Sequence, residues 1–174
     1  MRSSTVLLFL GLLIAVPARA IRGQSHWDAY KPGTITAVMN QHDSIVPGDS
    51  ADGRTSVMVS GDDFPTLARV IYRGESRPLD ARRALVMREW SLAFLRDTSM
   101  LNDFHREYLF QEGKRALWLP VQDTVASFFS RELRPGQAVR LYVIFLGARR
   151  EPKEIFWAFA VNEFKAEAYV EKAK

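Results

Sequence analysis

The chain contains no cysteine among its 174 residues. It therefore has no cysteine nucleophile, no cysteine-ligated zinc and no iron–sulfur cluster, because each of these needs a thiolate. An exported domain of this length does not require disulfides if its hydrophobic core is large enough. The sequence thus predicts a fold that depends on apolar packing alone.

Recognised catalytic and cofactor motifs are also missing. The chain has no Gly-x-Ser-x-Gly nucleophile elbow and no phosphate-binding glycine-rich loop. Asp49 and Asp52 lie in an acidic loop, but not in the register of a calcium-binding loop. The three histidines, His26, His42 and His105, include no pair at a metal-ligand spacing. We therefore predict no metal site and no cofactor.

The excess of positive charge is small. The formal net charge is +4, and two of the cations, Arg2 and Arg19, lie in the first twenty residues, which contain no acid. The rest of the chain is nearly balanced. Because a nucleic-acid partner is normally recognised by a strongly basic surface, nucleic-acid binding is the least favoured of the candidate functions.

The sequence has one long apolar run, and it lies at the N-terminus. Arg2 precedes the apolar segment 6–16, and the small residues Ala18 and Ala20 follow it. This pattern predicts a signal peptide over residues 1–20, cleaved after Ala20, and export to the periplasm or the medium. The segment is shorter than the roughly 20 apolar residues of a membrane span, although an uncleaved anchor is the alternative. No transmembrane helix is expected after cleavage.

The strongest structural pattern is a pair of apolar segments near the C-terminus. Residues 138–146 (AVRLYVIFL) and 155–162 (IFWAFAVN) are rich in β-branched and aromatic side chains, and both faces of each segment are apolar. A polar connection that contains Pro152 separates them. The pattern predicts two antiparallel strands that are covered on both sides.

The remaining segments predict three more strands, followed by a helical block. Alternating β-branched and apolar residues favour strands at 34–39, 54–61 and 67–72. Within the block, over about residues 80–132, the pattern predicts a helix at 81–97 capped by Asp80, a helix at 100–112, an edge strand or extended segment at 116–121 that contains Pro120, and a short helix at 124–132 capped by Asp123.

This element order, βββ-αα-α-ββ, indicates a β-rich α+β fold. We expect a five-stranded barrel like the oligonucleotide/oligosaccharide-binding (OB) fold, or a curved antiparallel sheet, with a helical insertion. An α+β sheet with helices on one face is the alternative. The predicted domain spans residues 34–164, after an extended lead-in at 21–33 and before a charged tail at 165–174.

Few residues stand out as candidates for chemistry. His42 and Asp43 are the first catalytic candidates, with Asp62 and Asp63 beside a strand end, and they would serve a small hydrolase of the cell envelope.

The binding candidates lie in the C-terminal hairpin. Arg140 and Tyr142 lie two residues apart and would share one face of a strand, where they could stack a ring of a ligand. Arg149 and Arg150 lie in the connection of the hairpin.

The sequence therefore favours an exported, non-catalytic binding or interaction domain. Its ligand would be a protein, a glycan or an envelope polymer. The alternatives are the small hydrolase and, last, an OB-like nucleic-acid binder. The sequence specifies neither the ligand nor the oligomeric state.

Overall fold

The computed structural model describes residues 26–48, 56–62 and 64–169. The predicted leader (1–20), residues 21–25 of the lead-in and residues 170–174 of the tail lie outside these ranges. The strands are β1 (Lys31–Gly33), β2 (Met58–Val59), β3 (Thr66–Pro78), β4 (Arg106–Glu112), β5 (Arg115–Val121), β6 (Ala138–Arg150) and β7 (Ile155–Ala166). The helices are α1 (Ile35–His42), α2 (Ala81–Phe94), α3 (Asp123–Ala126) and α4 (Phe129–Glu132).

Five of the strands form a closed mixed barrel. Their order is β3-β4-β5-β7-β6, and β6 pairs again with β3 along the register Thr66↔Val143 to Ile71↔Ala138. β5 and β7 are parallel, whereas the other neighbours in the barrel are antiparallel. β1 and β2 extend the sheet on β3 and β6. The barrel confirms the predicted OB-like, β-rich α+β fold.

The predicted C-terminal hairpin is confirmed as β6 and β7. Its inner face contributes Val143, Phe145 and Phe159 to the barrel core. Its outer face contributes Leu146 and Ala158 to a second core, which α2 covers. Both faces are thus buried, as the two-sided apolar pattern requires.

The prediction of a strand at 34–39 is wrong, because this segment begins the helix α1. Thr34 caps the helix, and its Oγ1 accepts a hydrogen bond from the Ala37 amide at 3.0 Å. Ile35, Val38 and Met39 are buried on one side of the helix. The same segment satisfies the helical spacing i, i+3, i+4 as well as the alternation of a strand.

The prediction of a helix at 100–112 is also wrong. Residues Ser99–Asp103 form a 3₁₀ turn, and the chain then runs as β4 into a two-residue turn and β5. Gly113 has φ = 58° and is the first residue of that turn. It therefore belongs to a β-hairpin, where positive φ is required, and not to the end of a helix.

Other boundaries differ in detail. In the predicted strand at 54–61 the structure shows only β2, and residues 54 and 55 lie outside the described ranges. The predicted strand at 67–72 is the first half of the longer β3. The predicted helix at 124–132 is two single turns, and the N-cap is Gln122, not Asp123.

α2 begins with the predicted N-cap, Asp80, which accepts a hydrogen bond from the Arg82 amide at 2.9 Å. The helix ends at Phe94, three residues before the predicted end. It connects the first two barrel strands, β3 and β4, whereas we expected the helical block between the third and the fourth. It packs on the outer face of β6 and β7, where Val86 and Met87 are fully buried.

Both ends of the barrel are filled. At one end α1 packs its apolar side into the core, and His42 contacts Phe145 with ring centroids 4.8 Å apart. At the other end Phe129 of α4 packs against Tyr72 and Phe164. Within the described residues, no helix is both long and apolar enough to cross a bilayer.

Candidate binding site

The barrel wall is incomplete between the parallel strands β5 and β7. They pair only at Val121↔Val161, where the Gln122 amide donates to the Val161 carbonyl at 3.1 Å. On one edge of a parallel ladder the donors recur at every second residue, so the next donor of β5 would be residue 120. Residue 120 is a proline, which has no N–H, and the ladder ends there.

A cleft of about 540 Å³ occupies the opening between the two strands. Residues 115–119 of β5 line one side and residues 154–157, with Phe159, line the other. Leu117 and Phe159 belong to the barrel core and form an apolar floor. Because the lining includes inward-facing and outward-facing residues of the same strands, the cleft passes through the wall itself.

A buried carboxylate lies beside the cleft. Glu107 has no exposed surface, and its Oε2 lies 3.0 Å from Nη1 of Arg83. Arg77 donates from Nε to the same carboxylate. Burial lowers the pKa of Arg83, and the nearby Glu107 carboxylate opposes that shift. Two guanidinium groups thus share one carboxylate, which leaves the cluster with an excess positive charge.

The guanidinium groups also lie against aromatic rings. Arg77 lies 4.1 Å from the centre of the Trp118 ring, and Arg82 lies 3.8 Å from the centre of the Phe156 ring. Asp80 binds Arg82 at 2.7 Å, and this hydrogen bond lowers the pKa of Asp80 well below its ordinary range. The rim of the cleft therefore combines oriented cations with flat apolar surfaces.

Arg115 differs from the other arginines of the cleft. Among the described residues it has no carboxylate within 4.0 Å, and its Nη1 lies 3.6 Å from the sulfur of Met39. Thioether sulfur is a weak acceptor, so this guanidinium keeps most of its hydrogen-bonding capacity. It is the cation of the rim best able to bind an anionic group of a ligand.

Of the hydrolase candidates, His42 and Asp62 line one pocket of about 470 Å³ together with the hydroxyl residue Ser60. No hydrogen bond of the described residues joins the histidine to this serine or to a carboxylate. His42 is buried, and its Nδ1 donates to the Val38 carbonyl at 2.8 Å. Asp43 lies at the end of α1 and accepts from Arg150 through its backbone carbonyl at 2.6 Å. Asp62 accepts from the Ser60 hydroxyl through its carbonyl. Asp63 lies outside the described ranges.

The other two histidines, His26 and His105, also give no indication of a metal site. His105 is exposed and lies 2.5 Å from the Asp123 carboxylate. The side chain of His26 is not described. The described part of the chain holds no group of three His, Asp or Glu side chains able to bind a metal ion.

Arg140 and Tyr142 lie on the outer face of β6, away from the cleft. Arg140 pairs with Glu167, which also binds Arg69 on β3. Tyr142 contacts the ring of Trp27 with centroids 5.0 Å apart. Each candidate side chain is thus engaged by its own neighbours, although the two share a strand face as expected.

Arg149 and Arg150 lie at the end of β6. Arg149 pairs with Glu151 at 3.1 Å. Arg150 donates to the backbone carbonyls of Asp43 and Val46 and so holds the segment that follows α1 against the barrel. Neither side chain lines the cleft.

Sequence patterns did not identify the residues of the cleft. The candidates suggested by the sequence include none of the residues Arg77, Arg82, Arg83, Glu107, Arg115, Trp118 and Trp157. These residues come from four separated segments, so no local spacing joins them. The one local signal was Pro120, a proline inside a strand pattern.

The chain was compared with models of protein families, with curated proteins and with solved structures, and none of them matched. Its function must therefore be inferred from the geometry of the cleft.

Proposed function

We propose that this chain is a non-catalytic binding domain whose ligand occupies the cleft between β5 and β7. The observation that carries this proposal is the single pairing of the two strands at Val121↔Val161, beyond which the wall opens. A concave site of about 540 Å³ lies within the range typical of ligand-binding pockets. OB-like barrels generally bind their ligands across exposed strand faces and the loops beside them.

The side chains of the cleft support binding and not catalysis. Its ionisable groups are arginines and carboxylates, and Asp80 and Glu107 are already bound to arginines. No histidine lines it. A general acid–base reaction needs a group that gains or loses a proton near neutral pH, and arginine does not.

The chemistry of the lining selects a ligand class. The apolar floor at Leu117 and Phe159 favours a ligand with apolar groups, and the arginines of the rim favour acidic or hydroxyl groups beside them. A protein segment, a glycan or an envelope polymer meets these requirements. A polyanion is less well matched, because Asp43, Asp80 and Glu154 also line the site.

Export is part of the proposal. Its support is the sequence of residues 1–20, with Arg2, the apolar segment 6–16 and the small residues before position 21. N-terminal sequencing of the protein isolated from its native cells tests it. We expect the mature chain to begin at Ile21, and a native protein that still begins at Met1 would contradict cleavage.

The binding site can be tested with one pair of variants. Arg115 and Lys114 are adjacent, exposed cations at the β4–β5 turn, but only Arg115 lines the cleft. The full chain is titrated with peptide pools, oligosaccharides and oligonucleotides, and binding is mapped by amide chemical shifts. A ligand of the cleft should lose affinity about tenfold in Arg115→Ala, as expected for one charge-assisted hydrogen bond, and little in Lys114→Ala. Ligands that shift only residues outside the cleft would contradict the proposal.

A further inference from the structure

The edges of β5 and β7 that face the cleft carry unused backbone hydrogen-bonding groups. Gln122 points its amide towards β7, and groups on one edge of a strand recur at every second residue. Trp118 and Ala116 therefore also point their N–H and C=O groups into the opening. No described backbone hydrogen bond joins β5 to β7 at these residues.

The edge of β7 has the same property, except that the carbonyl of Trp157 already accepts a hydrogen bond from Arg83. Val161 accepts from Gln122, so Phe159 and Trp157, two and four residues earlier, point their backbone groups into the opening as well. The position of Arg83 confirms this direction, because its Nε donates to the Trp157 carbonyl at 3.1 Å. The cleft is thus bounded by two parallel strand edges that face each other.

From this geometry we propose that the ligand is an extended peptide segment of another protein, which binds as an additional strand between β5 and β7. This inference rests on the proposed function and names its ligand class. A strand is the ligand that matches two facing edges, since its own N–H and C=O groups alternate between its two sides. Glycans and nucleic acids have no such alternation along their backbones.

The lining also specifies the side chains of the peptide. One face of the bound strand lies over Leu117 and Phe159 and accepts apolar residues. The other face lies towards the rim, where Arg77 and Arg83 share the single carboxylate of Glu107 and Arg115 has none among the described residues. Acidic residues complement this face. The expected motif alternates apolar and acidic residues over about five positions, which match the length of the open edge at about 3.3 Å per residue.

Pro120 keeps the site open. It removes the donor that would continue the β5–β7 ladder from Gln122 and Val161. A residue with an N–H at this position would let the ladder extend towards Trp118 and draw the two edges together. The proline therefore acts as a positioning residue, which prevents the barrel from closing on its own binding site.

The test uses the full chain, labelled with ¹⁵N, and two pools of blocked hexapeptides. Both pools alternate Val, Leu or Phe with Asp or Thr. In the second pool every other amide is N-methylated, which keeps the side chains but removes the donors along one edge. Chitin oligosaccharides and a thymidine dodecamer serve as probes of other chemistry. The readout is the amide shifts of Ala116, Trp118, Trp157 and Phe159.

We expect the first pool to shift these four amides. The N-methylated pool should bind at least about tenfold more weakly, because ladder hydrogen bonds are lost. Equal binding of the two pools would overturn the inference, as would shifts caused only by the oligosaccharide or the dodecamer. Either result would leave the cleft as a binding site. If no probe shifted the cleft amides, both the inference and the proposed function would fail.

A pair of proline variants provides an independent measurement. Pro120→Val should create a protected amide at position 120 and weaken binding of the first pool about tenfold, because the peptide then competes with an extended β5–β7 ladder. Pro47→Val, at an exposed position outside the cleft, should leave binding unchanged. Full binding by a folded Pro120→Val variant would overturn the role of the proline. If that variant does not fold, the comparison of the two pools on the unmodified chain still decides the inference.

Discussion

Glu112, the last residue of β4, binds the backbone amide of Thr36 at the start of α1 across 76 positions of the sequence. Its Oε2 accepts from Thr36 at 2.7 Å, and its Oε1 accepts from the Ile35 amide at 2.9 Å. The first amides of a helix have no partner within the helix, and a carboxylate there is also favoured by the helix dipole. This contact fixes the helix that fills one end of the barrel.

Replacement of Glu112 should therefore loosen α1. We expect Glu112→Ala to lower the free energy of unfolding by about 1–2 kcal/mol, the usual cost of a lost N-terminal cap. Urea denaturation measures the change. Glu75→Ala, at an exposed position of β3, is the control and should cost less than about 0.5 kcal/mol. Equal stability of the two variants would show that the carboxylate does not hold the helix.

The buried Glu107 should be costly to remove alone. Glu107→Ala leaves Arg83 buried without its carboxylate, and we expect a loss of about 3–5 kcal/mol in the free energy of unfolding. The double variant Glu107→Leu with Arg83→Met removes both charges and should recover part of that loss, since the unpaired buried charge is then absent. Denaturation of the single and double variants measures the coupling. A double variant less stable than Glu107→Ala would contradict this explanation.

Asp80 should make α2 sensitive to acid. Its hydrogen bond to the Arg82 side chain holds its pKa in the folded protein below the ordinary value of 3.8. The stability that this carboxylate contributes is therefore fully present above the ordinary pKa and is lost as the pH falls through the lower, folded-state pKa.

The suitable comparison is between the native chain and the variant Asp80→Asn, which keeps the capping oxygen but cannot ionise. The difference in unfolding free energy should be largest near pH 6 and should shrink continuously below about pH 4. Denaturation at a series of pH values measures it. A difference that grows with acidification would contradict the assigned pKa direction.

Gly147 should tolerate no side chain. Its φ is 150°, and a Cβ atom at this position would lie 2.0 Å from the Met58 carbonyl oxygen, which is backbone and cannot move aside. We expect Gly147→Ala to cost about 2–4 kcal/mol and to release β2 from β6. Gly113→Ala is the matched control, since its φ is 58° but its Cβ would meet nothing within 4 Å. It should cost only about 1 kcal/mol, and comparable losses in the two variants would contradict the steric argument.

The sequence predicted the fold class where one local pattern was sufficient. In β6 and β7 the apolar residues alternate on both faces over long segments, and no helix would present them in that way. The segment 34–39 was mispredicted because Ile35 and Met39 fit both a strand and a helix. The deciding contact, from Glu112, comes from a part of the sequence that no local window includes.

The cleft could not be predicted either, because its residues also come from distant parts of the sequence. Glu107 belongs to the segment 100–112, which was predicted as a helix, and a carboxylate is normally on the surface. It is buried only because Arg77 and Arg83 arrive from the preceding strand and helix to neutralise it. The position of Pro120 became informative once the parallel neighbour of β5 was known.

The closure of β3 on β6 also determines when the protein can fold. The strands that meet begin at Thr66 and Ala138, so most of the polypeptide must be synthesised before the seam can form. Joining such distant segments carries a loop-closure cost before any packing is gained, which slows the folding of barrels of this kind. A nascent chain interrupted before β7 would expose the inner face of β6 to water.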